Sequence, residues 1–106
     1  MAKYLVQANY VGEGIKGLLK DGGSSRQAAV KKLIDSMGGS FECMYYAFGE
    51  TDLYIIADMP DNSSMAAVAL LVSSSGLVTV KTTVLMTPEE IDEAAKKTPI
   101  YSPPGH

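Results

Sequence analysis

Two runs rich in aromatic and β-branched residues, Ser40 to Phe48 and Asp52 to Met59, are separated by only Gly49, Glu50 and Thr51. So short a connection joins antiparallel neighbours and leaves no room for the crossover that parallel strands require. The pair is therefore a hairpin, ended by Pro60. Its link, FGETD, reads as a turn and not as a reactive site, with Asp52 expected to hydrogen-bond the turn backbone as short carboxylates do. Gly49 is expected to matter for the turn, so that Gly49→Val would lower stability sharply.

The rest of the chain is built around this hairpin. From Lys3 to Tyr10 the side chains alternate, with Tyr4, Val6, Ala8 and Tyr10 on one side and Lys3, Leu5, Gln7 and Asn9 on the other, which is a strand. Ile15, Leu18 and Leu19 then recur at helical spacing up to Gly22 and Gly23. Ser24 and Gln27 have capping-box spacing, and Ala29, Val30, Leu33, Ile34 and Met37 form the apolar stripe of a second helical segment ending at Gly38 or Gly39. After the hairpin, Asp61 or Asn62 caps a helix through about Ser74, with Gly76 beyond it. Leu77 to Met86 alternates as a fourth strand, and Thr87, Pro88, Glu89 and Glu90 open a short last helix to about Lys97. Residues 98–106, TPIYSPPGH, are too proline-rich to continue it and read as an extended tail. The order β, α, β, β, α, β predicts an α+β, ferredoxin-like single domain over residues 1–106: a four-stranded antiparallel sheet with two helices on one face, plus a short C-terminal helix.

Composition narrows the partners. With 106 residues, 46% apolar and a net charge of −3, the chain supports one core, and its nine basic residues are scattered, so nucleic acid is not an expected partner. Cys43 is the sole cysteine, and there is no thiol pair or His cluster with ligand spacing; no metal and no cofactor are expected. The alternating N-terminus is unlike a signal peptide, and the apolar run Met65 to Val72 is far short of the roughly 20 residues of a membrane span. A cytoplasmic protein without membrane contact is the expectation.

The strand pattern sorts the sheet into two faces. Tyr4, Val6, Ala8, Leu53, Ile55, Ala57, Val78, Val80 and Val84 are expected toward the helices. Leu5, Gln7, Asn9, Tyr54, Ile56, Thr79, Lys81, Thr83 and Leu85 share the other face, which is too apolar for a small monomer to leave uncovered. Asn62 to Val80 carries no charge, and Met65 to Val72 is apolar on every side. Both features imply self-association, as a homodimer or larger assembly. Lys81 is the only charge between Asp61 and Glu89; a partly enclosed ammonium with Gln7 or Asn9 beside it and Tyr54 one strand further would orient a small polar ligand. Tyr46 is a further candidate for a pocket lining, while Tyr45 and Phe48 read as structural aromatics. Ser24, Ser25 and Arg26, the only arginine, lie where a helix start can hold an anion. Gly12, Gly14 and Gly17 spell GxGxxG, but the antiparallel hairpin that follows is foreign to a dinucleotide fold, so they read as loop glycines. Cys43, alternating with Phe41 and Tyr45, is expected buried and inert.

The stretches NYVGEGIKGLL, YYAFGETDLYIIADMPD and VKTTVLMTPEE resemble the GYD domain family across nearly the whole chain. That resemblance implies a ferredoxin-like domain of the dimeric α/β-barrel type. Thr51 stands where the family's tyrosine is expected. For function, the expectation is a non-catalytic, homo-oligomeric small-ligand binding or regulatory module; the alternative is a cofactor-independent oxygenase- or isomerase-like enzyme, implied by fold analogy alone.

Overall fold

The computed structural model describes residues 1–106. Alternation at the N-terminus becomes β1 (Ala2–Tyr10), followed by α1 (Gly14–Asp21), α2 (Gly23–Ser36), β2 (Ser40–Tyr46), β3 (Leu53–Met59), α3 (Asn62–Ser74), β4 (Val78–Leu85) and α4 (Pro88–Ala95). The strands form one antiparallel sheet in the order β2-β3-β1-β4. This is the expected ferredoxin-like arrangement, with β1 and β3 at the centre.

Local chemistry accounts for the helix boundaries. Asp61 caps α3 by accepting the Ser64 N–H at 2.8 Å, and Thr87 and Glu90 form a reciprocal capping box at the start of α4. The box expected at Ser24 and Gln27 does not form. Gly22, at φ 82°, both ends α1 and precedes α2, so Ser24 lies inside the first turn with no cap left to make. The left-handed backbone lets two helices meet at a single residue, which a side chain at that position would oppose.

The core joins Tyr4, Val6 and Ala8 of β1 to Leu53, Ile55, Ala57 and Met59 of β3, under Ile34 of α2 and Met65 and Val68 of α3. Val78 and Val80 pack at its margin as expected. Val84 pairs with Tyr4 and shares its face, yet it is 56% exposed, near the end of the edge strand β4. Tyr4 is buried with its hydroxyl donating to Asn62 Oδ1 at the start of α3, so the core's one deep phenol is satisfied.

The register of β2 shifts between Phe41 and Cys43. Glu42 is the extra residue, and its carboxylate pairs with Lys3, whose ammonium also reaches Asp58 Oδ2 at 3.2 Å. The bulge puts Phe41 opposite Ala57 on the core face but Cys43 and Tyr45 opposite Ile56 and Tyr54 on the other. Cys43 is consequently half-buried on the helix-free face, not in the core, which corrects the simple alternation.

Only 11 of the 106 residues are buried, and the accessible surface is 7355 Å². A compact monomer of this size exposes about 5,700 Å². The radius of gyration, 17.0 Å, likewise exceeds the roughly 13 Å of a compact domain of this length. α4 buries no residue, and Ile91 on it and Ile100 and Tyr101 in the tail are exposed, so the C-terminal arm stands off the domain.

Candidate ligand-binding site

Two regions hold the candidate residues, one on each face of the sheet. On the helix-free face the register aligns Tyr45 with Tyr54, Tyr54 with Gln7, and Gln7 with Lys81, a transverse row over all four strands. Sequence alone placed Tyr54, Gln7 and Lys81 near one another; the pairing makes Gln7 the direct neighbour of both, with Lys81 and Tyr54 on the strands either side of it. Asn9 pairs with Thr79 one step along. The Lys81 ammonium is not enclosed within one chain: the residue is exposed and takes part in no ion pair or side-chain hydrogen bond.

The hairpin link borders this row. Gln7 Nε2 donates to Thr51 Oγ1 at 3.3 Å, Asp52 Oδ2 accepts the Tyr10 N–H at 3.0 Å, and Asn9 Oδ1 accepts the Asp52 N–H at 2.8 Å. The Asp52 carboxylate thus bonds the end of β1, which corrects the expectation that it bonds the backbone of its own turn. Its link is docked, and Gly49 is not what holds it: no atom lies within 4 Å of a Cβ built there, and its φ is not left-handed. Phe48 is fully exposed.

Tyr46 faces the other way. It pairs with Leu53 of the core face, and its hydroxyl donates to the Gly23 carbonyl at 3.3 Å. Burial, then the nearby Tyr10 phenol, pushes its pKa up to about 12, against an opposing pull from Arg26. Tyr10, Tyr46 and Arg26 therefore form one cluster at the meeting of β1, β2 and α2. Ser24 and Ser25 are exposed and take no part in it.

Beside this cluster lies a cavity of about 110 Å³. α2 packs chiefly on β2, and α3 on β4 and β3, so the helices part above β1 and leave a gap. Seventeen of the 18 lining residues are hydrophobic, and the remaining one is Arg26. An adjoining cleft of about 260 Å³ shares Tyr10, Arg26, Val72 and Val78 with it and is bordered by Gly14, Gly17 and Asp21. Arg26 was foreseen only as part of a helix-start anion site; its place at the neck of an apolar cavity depends on helix separation, for which no local sequence signal exists.

Two of the three GxGxxG glycines have structural explanations here. Gly12 adopts φ 53°, and a Cβ at Gly14 would fall 2.1 Å from the Leu77 carbonyl oxygen. Close approach of α1 to the start of β4 requires glycine at position 14, while Gly17 has open space.

The family model of the GYD domain matches residues 4–95, which include the hairpin, its docked link, all but the first two residues of β1 and every later element through α4. The chain belongs to the GYD domain family. In this GYD domain the motif around Gly49 and Asp52 ties the β2–β3 link to β1, and Thr51 meets Gln7 where a tyrosine is expected. A crystal structure of a protein of unknown function from Nitrosomonas europaea is similar, at 15% identity and a TM-score of 0.44, over 94% of this chain and 96% of that one. No protein of curated function matches the sequence. No helix is long and apolar enough to cross a membrane.

Proposed function

We propose that this GYD domain is a non-catalytic module that binds a small ligand between its sheet and covering helices and works as a homo-oligomer. The observation that carries the binding reading is the apolar cavity with one charged residue, Arg26, in its lining. Pockets of this kind take a ligand's apolar part inside and fix its orientation with few polar groups. The lining contains no His, Cys, Asp or Glu. Tyr10 is the one group of the lining able to carry a proton for an oxygenase- or isomerase-like reaction, and no second acid or base lines the cavity with it, so binding is the better-supported reading.

Self-association is supported by the surface exposed by a single chain, by the uncovered face bearing Leu5, Ile56 and Leu85, and by the unpacked C-terminal arm. Packing of that face on a second copy would enclose Lys81, Gln7 and Tyr54, giving the row a protected setting that one chain does not provide.

A thermal-shift screen of small apolar acids, alcohols and amines, followed by mass spectrometry of co-purifying compounds, tests the binding reading. A ligand-dependent rise in melting temperature is expected, because ligand bound to the folded state alone stabilises it. The absence of any rise at millimolar concentrations would count against it.

A further inference from the structure

We infer that the cavity between α2, α3 and the sheet takes a short monocarboxylic acid with about five carbons, its carboxylate on Arg26 and its chain among the valines and methionines. The inference rests on the binding reading above and names the ligand class. Arg26 is half-buried, yet it belongs to none of the ion pairs, which are Lys3 with Glu42 and Asp58 and Lys16 with Glu13. Nor does its guanidinium donate any hydrogen bond within the chain, so it has lost part of its hydration without a protein partner. A carboxylate matches the planar guanidinium fork with two parallel hydrogen bonds, the geometry in which arginine binds most strongly.

The surroundings restrict the ligand further. Every other lining residue is hydrophobic, so a second charge on the ligand would be buried without a partner. That disfavours dicarboxylates and doubly charged phosphates. Tyr10 lines the cavity together with Arg26, offering a hydroxyl near a bound carboxylate, while Tyr46 lies outside the lining with its hydroxyl on the Gly23 carbonyl. Asp21 borders the adjoining cleft and is absent from the cavity lining, so no carboxylate inside the cavity opposes a bound anion. The volume, about 110 Å³, is somewhat below the roughly 150 Å³ of a cavity that holds benzene, which sets the chain length.

Titrating the whole protein with pentanoate, 1-pentanol and pentylamine at constant ionic strength, and following backbone amides by two-dimensional NMR, tests this. Pentanoate is expected to shift the Ala8 and Val80 amides with millimolar affinity, about tenfold tighter than pentanol and with no response to pentylamine. Arg26→Gln should weaken pentanoate about tenfold and leave pentanol unchanged, with Arg26→Lys between them. Ala69→Leu, which fills the cavity, should abolish both. Equal binding of acid and alcohol, or an Arg26→Gln protein that binds pentanoate undiminished, would overturn the carboxylate assignment while leaving an apolar site. If none of the three compounds moves the lining amides, the inference and the binding reading fall together.

Discussion

The Asp52 carboxylate accepts the Tyr10 backbone N–H at 3.0 Å, although 42 residues separate them in the chain. This bond, with the Asp52 N–H on Asn9 Oδ1, fastens the β2–β3 link to the end of β1. Both residues are part-buried, so removing the acceptor leaves a donor poorly served by water. Asp52→Ala is expected to cost about 1.5 kcal/mol in urea denaturation, and Asp52→Asn, which keeps an acceptor, less than half of that. Equal losses would mean that charge and not the hydrogen bond is at stake.

The glycines that matter for stability are not those in the hairpin link. A Cβ at Gly39 would lie 2.6 Å from both the Asp58 carbonyl oxygen and Met59 Sδ, at the point where α2 turns into β2. Gly39→Ala is expected to destabilise by about 2 kcal/mol, the scale of overpacking against backbone. Gly49→Val, in open space, should stay within about 0.5 kcal/mol. Melting temperatures of the two variants should therefore diverge clearly.

Hydrogen bonds from Ser64, then Ser63, hold the Asp61 carboxyl below its ordinary range. A folded-state pKa below the unfolded one stabilises the protein above the unfolded value and is lost as pH falls through the folded one. Asp61→Asn retains a good cap but has no charge to lose. Its urea midpoint should fall less than that of the unaltered protein between pH 5 and 3, that is, around and below the ordinary aspartate value of about 4. Parallel decline of the two would show that Asp61 contributes nothing to acid sensitivity.

At the alkaline end the sign is reversed. Tyr46 titrates near 12 in the folded chain because burial disfavours its phenolate, whereas an unfolded tyrosine titrates near about 10. Its contribution is complete below about pH 10 and is lost as pH rises through the folded value. The residue is 42% exposed, so solvent screens part of the effect. Tyr46→Phe should flatten the loss of stability from pH 9.5 upward, and the ultraviolet phenolate signal should lose a component titrating near 12.

Sedimentation equilibrium should find a dimer or larger assembly at tens of micromolar. Leu85, half-buried on the uncovered face, tests which surface is used. Leu85→Glu should shift the protein toward monomer with its circular dichroism unchanged. A monomer at these concentrations before any substitution would exclude the homo-oligomeric reading.

What could be read from the sequence alone was whatever neighbouring residues decide among themselves. Period-2 alternation in Lys3 to Tyr10 and the short link after Phe48 led to the strand pairing, because side-chain direction and chain reach are local quantities. The caps at Asp61 and at Thr87 with Glu90 were equally legible, since donor and acceptor lie within one turn. The Ser24 cap failed for a reason outside that range: α1 runs to Asp21 and Gly22 joins it directly to α2. Tertiary packing alone decided the Glu42 bulge, which turns Cys43 to the open face, and the Asp52–Tyr10 bond that closes the link. It also set the gap between α2 and α3, and with it the place of Arg26. Such a gap depends on how residues far apart in the chain fill space against one sheet, and the periodicity of each helix records which side it buries but not how far away its neighbour will stand.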